Sequence, residues 1–229
     1  MFQYSAGRNV RQMADSRRTI RLKIGLLGLV MLVDALLTYL WLPIVVGFPL
    51  AMLGFWTVNH YFIGWMDLAS RREQDAVRGA EAEETVGAVL DRLPDCVVIH
   101  DVRKKNGDKK YGNIDHVVFR RDGAVLLIET KSHRGTVTEA RASNFLNQTH
   151  QNIYWLRDFL KARFHFEPWI NAAIVFPNAN VRVRRPLRGV DVVGASYLER
   201  WISKVRGNPQ LAQRLWPEME QIKTALRET

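Results

Sequence analysis

The stretch IDHVVFRRDGAVLLIETKSHRG, residues 114–135, decides the fold of this chain. Its two apolar runs, residues 114–119 and 124–130, are rich in the β-branched and aromatic residues typical of strands. Asp122 and Gly123 between them are typical turn residues. The stretch therefore predicts a β-hairpin, and the strands and helices of the chain can be placed outward from it.

Three polar residues interrupt these strands: Asp115 near the start of the first, and Glu129 and Lys131 at the end of the second. Side chains alternate along a strand, so Glu129 and Lys131 point to the same face. The hairpin turn can bring Asp115 beside them. Two converging carboxylates suit a hard cation, and a neighbouring lysine can position or deprotonate a water. This pattern indicates metal-assisted hydrolysis of phosphodiesters.

With this spacing, the stretch resembles the PD-(D/E)XK nuclease superfamily, and residues 79–202 resemble its NERD, or nuclease-related, domain. The matching motifs are residues 79–86, 114–118 and 128–131, then Gly135, Gln151, residues 174–176 and residues 198–202. Two positions depart from the family pattern. Ala82 stands where the family usually has a glycine, and Gln148 stands where it often has a proline.

The resemblance implies an α/β fold with a restriction-endonuclease-like αβββαβ core. It implies a catalytic set of Asp115, Glu129, Lys131, Glu83 and Gln151. It also implies Mg2+ or Mn2+, held by Asp115, Glu129 and the backbone carbonyl of Thr130. Glu83 would reach the metal through a water, and Gln151 would orient a water or a phosphate oxygen.

The charge of the chain favours anionic partners. It has 33 Lys and Arg residues against 23 Asp and Glu, a formal net charge of +10, which suits nucleic acid or lipid headgroups. We expect DNA in preference to RNA. The basic residues near the predicted site that we expect to contact nucleic acid are His133, Arg134, Lys109, Lys110, Arg182, Arg184 and Arg185.

Several other classes of site are excluded by the sequence. The single cysteine, Cys96, allows no internal disulfide and suits a reducing compartment. Cysteines and histidines do not occur at zinc-finger spacing. The chain has no Gly-rich phosphate loop and no serine nucleophile elbow, so neither ATP hydrolysis nor a serine hydrolase is indicated.

The N-terminal third contains two apolar runs, residues 24–41 and 44–65, separated by Leu42 and Pro43. As helices they would approach the ~30 Å thickness of a bilayer core. They predict a transmembrane hairpin over residues 24–66. A signal peptide and a buried hairpin of a soluble protein are the alternatives. Asp34, within the first run, indicates either a contact between helices of two copies in a homo-oligomer or a tolerated protonated acid.

Flanking charges predict the orientation of this hairpin. Six basic residues precede the first run, and Arg71, Arg72 and Arg78 follow the second. By the positive-inside rule, both termini and the following domain would lie in the cytoplasm, in a multi-pass protein of the cytoplasmic (inner) membrane.

The predicted organisation has five parts: a basic arm (1–23), the hairpin (24–66), a charged linker (67–78), the nuclease-like domain (79–205) and a C-terminal helix (206–229). The leading hypothesis is a membrane-anchored, metal-dependent nuclease. The alternatives are a non-catalytic module that binds nucleic acid or protein at the membrane, and a structural membrane protein. Only the first gives the acid–acid–lysine arrangement a chemical purpose.

Overall fold

A computed structural model describes residues 8–41, 44–104 and 112–228. The chain divides into two compact units, one formed by Asn9–Arg78 and one that contains Gly79–Thr229. The second unit is a mixed α/β domain built on a central sheet, which confirms the predicted fold class.

The first two helices are α1, Arg8–Trp41, and α2, Ile44–Leu90. Residues 67–78, predicted as a linker, are helical and belong to α2. This segment is rich in Arg, Glu, Gln and Ala, which have high helix propensity, and it has no proline to end the helix. Leu42 and Pro43, where we predicted the break between the runs, lie outside the described residues.

The predicted transmembrane hairpin is not supported. Across the described residues, none of the helices combines the length and the apolar character that crossing a bilayer requires. Arg21, Lys23 and Asp34 place charges within the described part of α1, and Asn59 and His60 place polar groups in α2. Such groups oppose insertion into hydrocarbon. The predicted location as a multi-pass protein of the cytoplasmic membrane is therefore wrong, and the predicted partnership with the membrane through two helices is not supported.

Five strands form the central sheet in the order β1-β2-β3-β5-β7. The strands are β1 (Cys96–Val102), β2 (Ile114–Arg120), β3 (Val125–Thr130), β5 (Ile170–Phe176) and β7 (Val190–Gly194). The first three are antiparallel neighbours, which confirms the predicted hairpin, whereas β3, β5 and β7 run parallel. Two short strands, β4 (Gly135–Val137) and β6 (Ala179–Val181), form a separate parallel pair.

Four further α-helices complete the domain. They are α3 (Glu139–Phe164), α4 (Ala195–Lys204), α5 (Pro209–Leu215) and α6 (Met219–Arg227), with a 3-10 turn at Trp216–Glu218 between the last two. The predicted single C-terminal helix is thus divided. Pro217 lies at the division, where its missing N–H and fixed φ oppose a continuous α-helix.

The sheet has a hydrophobic core on each face, and β3 contributes to both. Leu127 packs on one side with Leu156 and Leu160 of α3. Ile128 packs on the other with Leu90 at the end of α2, in a second cluster that also contains part of α4. All six residues of β3 are buried, as expected for a central strand covered on both faces. A polar side chain on this strand must therefore find a partner.

The hairpin turn requires glycine at position 123. Gly123 has a φ of +85°, which favours glycine. A Cβ at this position would clash with the backbone oxygen of Asn208. The turn therefore packs directly on the backbone that opens α5, which links the hairpin to the C-terminal helices.

Candidate active site

The structure brings Asp115 to the end of β3. Asp115 Oδ2 accepts a hydrogen bond of 2.6 Å from the backbone N–H of Thr130, the residue that follows Glu129. This bond arises because β2 and β3 are antiparallel, so the start of β2 lies beside the end of β3. The two acids predicted to act together are therefore neighbours.

Glu129 is fully buried, and both of its carboxylate oxygens accept hydrogen bonds. Lys131 Nζ and Gln148 Nε2 donate to Oε1 over 2.6 and 2.7 Å, and Asn152 Nδ2 donates to Oε2 over 3.1 Å. The Lys131 ammonium also lies 5.5 Å from the centre of the Phe145 ring, within the range of a cation–π contact. The predicted acid–acid–lysine group is thus assembled in one place and held from α3.

The helix residues that hold Glu129 were not predicted. Gln148 and Asn152 are four residues apart and share one face of α3. Asn152 Oδ1 in turn accepts a 2.7 Å hydrogen bond from Lys104 Nζ. Gln151, which we predicted to orient a water or a phosphate oxygen, is exposed on the same helix. The spacing along the helix could have identified them, because positions 148 and 152 lie four residues apart on the same face of α3 as the buried Leu156 and Leu160.

The charges of this group influence one another. Burial, followed by repulsion from Glu129, raises the pKa of Asp115 well above its usual value. Burial, followed by repulsion from Asp101 and Glu129, raises the pKa of Glu83 from 4.5 to about 7. Burial alone would lower the pKa of Lys131, but the Glu129 and Asp115 carboxylates raise it above its usual value. A cation is therefore favoured here, and the lysine stays protonated near neutral pH.

Glu83 lies on α2 and is half-buried. Its pKa responds to Glu129 and Lys131, which places it in the same electrostatic environment as the strand-end group. No hydrogen bond ties it to that group among the described contacts. It is an outlying acid of the site, in keeping with the indirect role that the sequence predicted.

On the other face of the sheet, a chain of hydrogen bonds connects Thr130 to the surface. Thr130 Oγ1 lies 3.3 Å from His116 Nε2, the Nδ1 atoms of His116 and His100 are 2.8 Å apart, and His100 Nε2 lies 3.0 Å from Asp91 Oδ1. One arrangement gives every contact a donor and keeps both rings neutral: Thr130 donates to His116, which donates to His100, which donates to Asp91. We name these four residues the histidine chain.

The histidine chain gives His116 a structural role. His116 is fully buried, and burial, followed by repulsion from His100, lowers its pKa well below the usual value. It points away from Asp115, as strand alternation predicted. It therefore holds the Thr130 hydroxyl on one face of the sheet while the Thr130 N–H holds Asp115 toward the other.

The predicted nucleic-acid contacts lie in two described segments. His133 is half-buried, with Nδ1 3.2 Å from Arg141 Nη2, and Arg134 is exposed just before β4. The second segment follows β6 and contributes the exposed residues Arg182, Arg184 and Arg185. Because β4 and β6 pair in parallel, the segment before β4 and the segment after β6 lie at opposite ends of this small sheet. Lys109 and Lys110 lie outside the described residues.

The donor set of the site suits a divalent cation only in part. Within residues 8–41, 44–104 and 112–228, no three His, Cys, Asp or Glu side chains form a metal-binding group. Asp115 and Glu129 offer two carboxylates, and backbone oxygen is a suitable further ligand for Mg2+. Burial, followed by repulsion between neighbouring acids, raises the pKa values of Asp115 and Glu83, and a nearby divalent ion would favour their ionised forms.

Comparison with known families agrees with the geometry of this site. Residues 78–177 match the family model described as NERD, nuclease-related domain. The match contains Glu83, Asp115, Glu129 and Lys131, and it ends just after β5. It confirms the resemblance found in the sequence, over a shorter range. No curated protein and no solved structure matches the chain.

Proposed function

We propose that this chain is a metal-dependent nuclease of the PD-(D/E)XK superfamily that hydrolyses phosphodiester bonds, of DNA in preference to RNA. One observation carries the proposal: Asp115 and Glu129 meet at the ends of adjacent strands, with the Lys131 ammonium 2.6 Å from the Glu129 carboxylate. The nuclease-related domain found over residues 78–177 supports it.

Asp115, Glu129 and the Thr130 carbonyl would hold Mg2+ or Mn2+. Such an ion, when bound, polarises a phosphate and lowers the pKa of a bound water. Asp115 is already oriented by the Thr130 N–H, and Glu129 by the amides of Gln148 and Asn152. These bonds fix the carboxylates before substrate arrives, which is the preorganisation that catalysis needs.

Lys131 would place its positive charge at the reacting phosphate. It is only slightly exposed, with 19% of its side chain accessible, so solvent screens its charge weakly. Its raised pKa keeps it protonated, which favours stabilisation of developing negative charge over removal of a proton. Glu83, with a pKa of about 7, is the better proton acceptor of the group. Gln151 is exposed on α3, so it would contact the bound substrate rather than the other residues of the site.

Digestion of nucleic acid tests the proposal directly. The full chain should cut plasmid DNA with Mg2+ and lose this activity with EDTA. Asp115→Asn and Lys131→Met should each lower the rate by at least about 100-fold, as expected for removal of an electrostatic catalytic group. Asp158→Asn, which removes an exposed carboxylate from α3, is the matched control.

Parallel reactions with linear, circular and single-stranded DNA and with RNA would define the substrate. Equal rates for the wild type and the Asp115 and Lys131 variants would refute the proposal.

A second function deserves a test because of how Glu129 is bonded. Three protein donors already occupy its carboxylate, as they would in a scaffold that binds nucleic acid without cutting it. Calorimetric titration of the full chain with Mg2+ separates the two functions. A heat of Mg2+ binding that the wild type shows and Asp115→Asn lacks supports the nuclease. No Mg2+ binding to the wild type at millimolar concentration supports the non-catalytic module.

A further inference from the structure

A cavity of about 700 Å3 lies at the β7 edge of the sheet, between the segment after β6 and helix α4. Its volume is within the range of small-ligand sites. Apart from Asn171, its lining residues follow residue 177, so they lie outside the matched nuclease-related domain. The cavity therefore needs an explanation of its own.

Positive charge dominates this cavity. Its described lining includes four cations, Arg184, Arg185, Lys204 and Arg206, and one acid, Asp191. The Asp191 carboxylate accepts a 2.9 Å hydrogen bond from Trp201 Nε1, so Asp191 holds the Trp201 side chain in the cavity wall. A cavity with this balance favours an anionic ligand.

The wall of the cavity adds an aromatic surface to this charge. Lys204 Nζ donates to the Tyr197 hydroxyl over 3.0 Å and lies 5.6 Å from the centre of its ring. Trp201 is largely buried, with 7% exposure, and forms a firm backing. Cations combined with aromatic and apolar surface are typical of sites that bind both the backbone and the bases of single strands.

The position of the cavity relates it to the candidate active site. Along the sheet, Glu129 pairs with Ile174, and Ile174 pairs with Val192, which lines the cavity. Glu129 and Val192 are therefore separated by two strand spacings, about 10 Å. Glu129 faces α3, whereas Asp191, Trp201 and α4 lie on the opposite face of the sheet. A strand of nucleic acid that contacts both sites would therefore pass around the β7 edge.

We propose that this cavity binds a phosphate and the adjoining nucleobase of a single nucleic-acid strand whose scissile phosphate lies at Asp115 and Glu129. The contact of the scissile phosphate with Asp115 and Glu129 rests on the proposed function. The binding of a phosphate and a base in the cavity does not. A cavity of this volume accommodates a nucleotide, whereas a base-paired helix offers no isolated nucleotide to fill it. Arg184 and Arg206 would contact the phosphate, and the wall at Tyr197 would face the base.

Binding without cleavage tests the inference. The full chain in EDTA is titrated into a labelled 12-nucleotide oligothymidylate, at several salt concentrations, and binding is followed by fluorescence anisotropy. The double variant R184Q/R206Q should bind more weakly and lower the salt-dependence slope by about 0.7, the contribution of one phosphate contact on a single strand. The double variant R92Q/R163Q, which removes two exposed charges elsewhere, is the control.

Two results would overturn the inference. One is an equal loss of affinity in R184Q/R206Q and the control pair. The other is an equal effect on a 12-base-pair duplex, which would assign the residues to general attraction to nucleic acid. Because these side chains are exposed, both variants should fold, and unfolding curves check this. R185Q/R206Q provides a second pair if they do not.

The outcome is separable from that of the proposed function. Asp158→Asn, which lies outside both sites, should bind the oligothymidylate as the wild type does. If no substrate is cut but binding depends on Arg184 and Arg206, the cavity assignment stands and the nuclease assignment fails. If DNA is cut while R184Q/R206Q binds normally, the cavity assignment fails alone.

Discussion

Replacing Glu83 with glutamine should stabilise the folded chain at neutral and alkaline pH. Burial raises the pKa of Glu83 from 4.5 to about 7, with further contributions from Asp101 and Glu129. A group with a higher pKa in the folded state than in the unfolded state binds its proton more tightly when folded. The free energy of unfolding therefore falls as pH rises from about 4.5 to about 7, and the loss is complete above that range.

The size of the effect follows from the two pKa values. Between 4.5 and about 7, at about 1.4 kcal/mol per pH unit, the carboxylate costs about 3 kcal/mol once it is ionised. Glutamine keeps the shape and polarity but cannot ionise. Glu83→Gln should therefore be more stable than the wild type by up to about 3 kcal/mol at pH 8 and equal to it near pH 4.

Urea denaturation of the full chain in EDTA, from pH 4 to pH 8, measures this difference. Glu81→Gln is the matched control, since Glu81 is exposed on the same helix. Added Mg2+ should shrink the difference, because a bound divalent ion favours the ionised carboxylate. The reasoning is refuted if Glu83→Gln follows the same pH dependence as the wild type, or if it is less stable at pH 8.

Three further changes test how the site is held. Asn152→Leu should lower stability by about 1–3 kcal/mol in urea unfolding, because it leaves the buried Glu129 carboxylate short of a donor; Gln151→Leu, at an exposed position, should change it little. Gly123→Ala should cost about 3 kcal/mol or more, against about 1 for Gly189→Ala, since both have positive φ but only the first Cβ meets other atoms. His116→Phe should cost about 2–4 kcal/mol in the same assay, because two buried partners lose their hydrogen bonds. A cost below about 0.5 kcal/mol for any of the three would contradict the role assigned to that residue.

The hairpin and its acids could be predicted because their signals are local. The two apolar runs and the Asp122–Gly123 turn determine β2 and β3 without information from the rest of the chain. Two-residue periodicity then places Glu129 and Lys131 on one face. The structure brings Asp115 to them through ordinary antiparallel pairing.

Predicting the α3 residues that bond Glu129 required information that is not local. Choosing between Gln148, Gln151 and Asn152 requires knowing which side of the helix packs on the sheet. A shift of one residue turns a helix position by about 100°, enough to move Gln151 from the site to solvent. The histidine chain was hidden for a similar reason, because it joins Asp91, which precedes β1, to residues on three different strands.

The apolar N-terminal runs misled for another reason. The mean hydropathy of these runs suggested transmembrane spans. The free energy of insertion into a bilayer, however, depends on individual polar groups as well as on the average. Residues such as Asp34 and Asn59 matter more than the abundant leucines around them. Asp34 was recognised in the sequence but was treated as tolerable, whereas no described helix has the length and apolar character of a span.

The histidine chain makes the two sides of the sheet depend on each other. Asp91 has 62% of its side chain exposed, whereas its partner His100 has only 9%. Judged by accessibility alone, Asp91 would pass for a freely variable surface position. The last residue of the histidine chain, however, is Thr130, whose backbone N–H donates a hydrogen bond to Asp115. Tolerance to mutation at Asp91 should therefore resemble that of an interior residue, and a survey of variants restricted to Asp115, Glu129 and Lys131 would miss it.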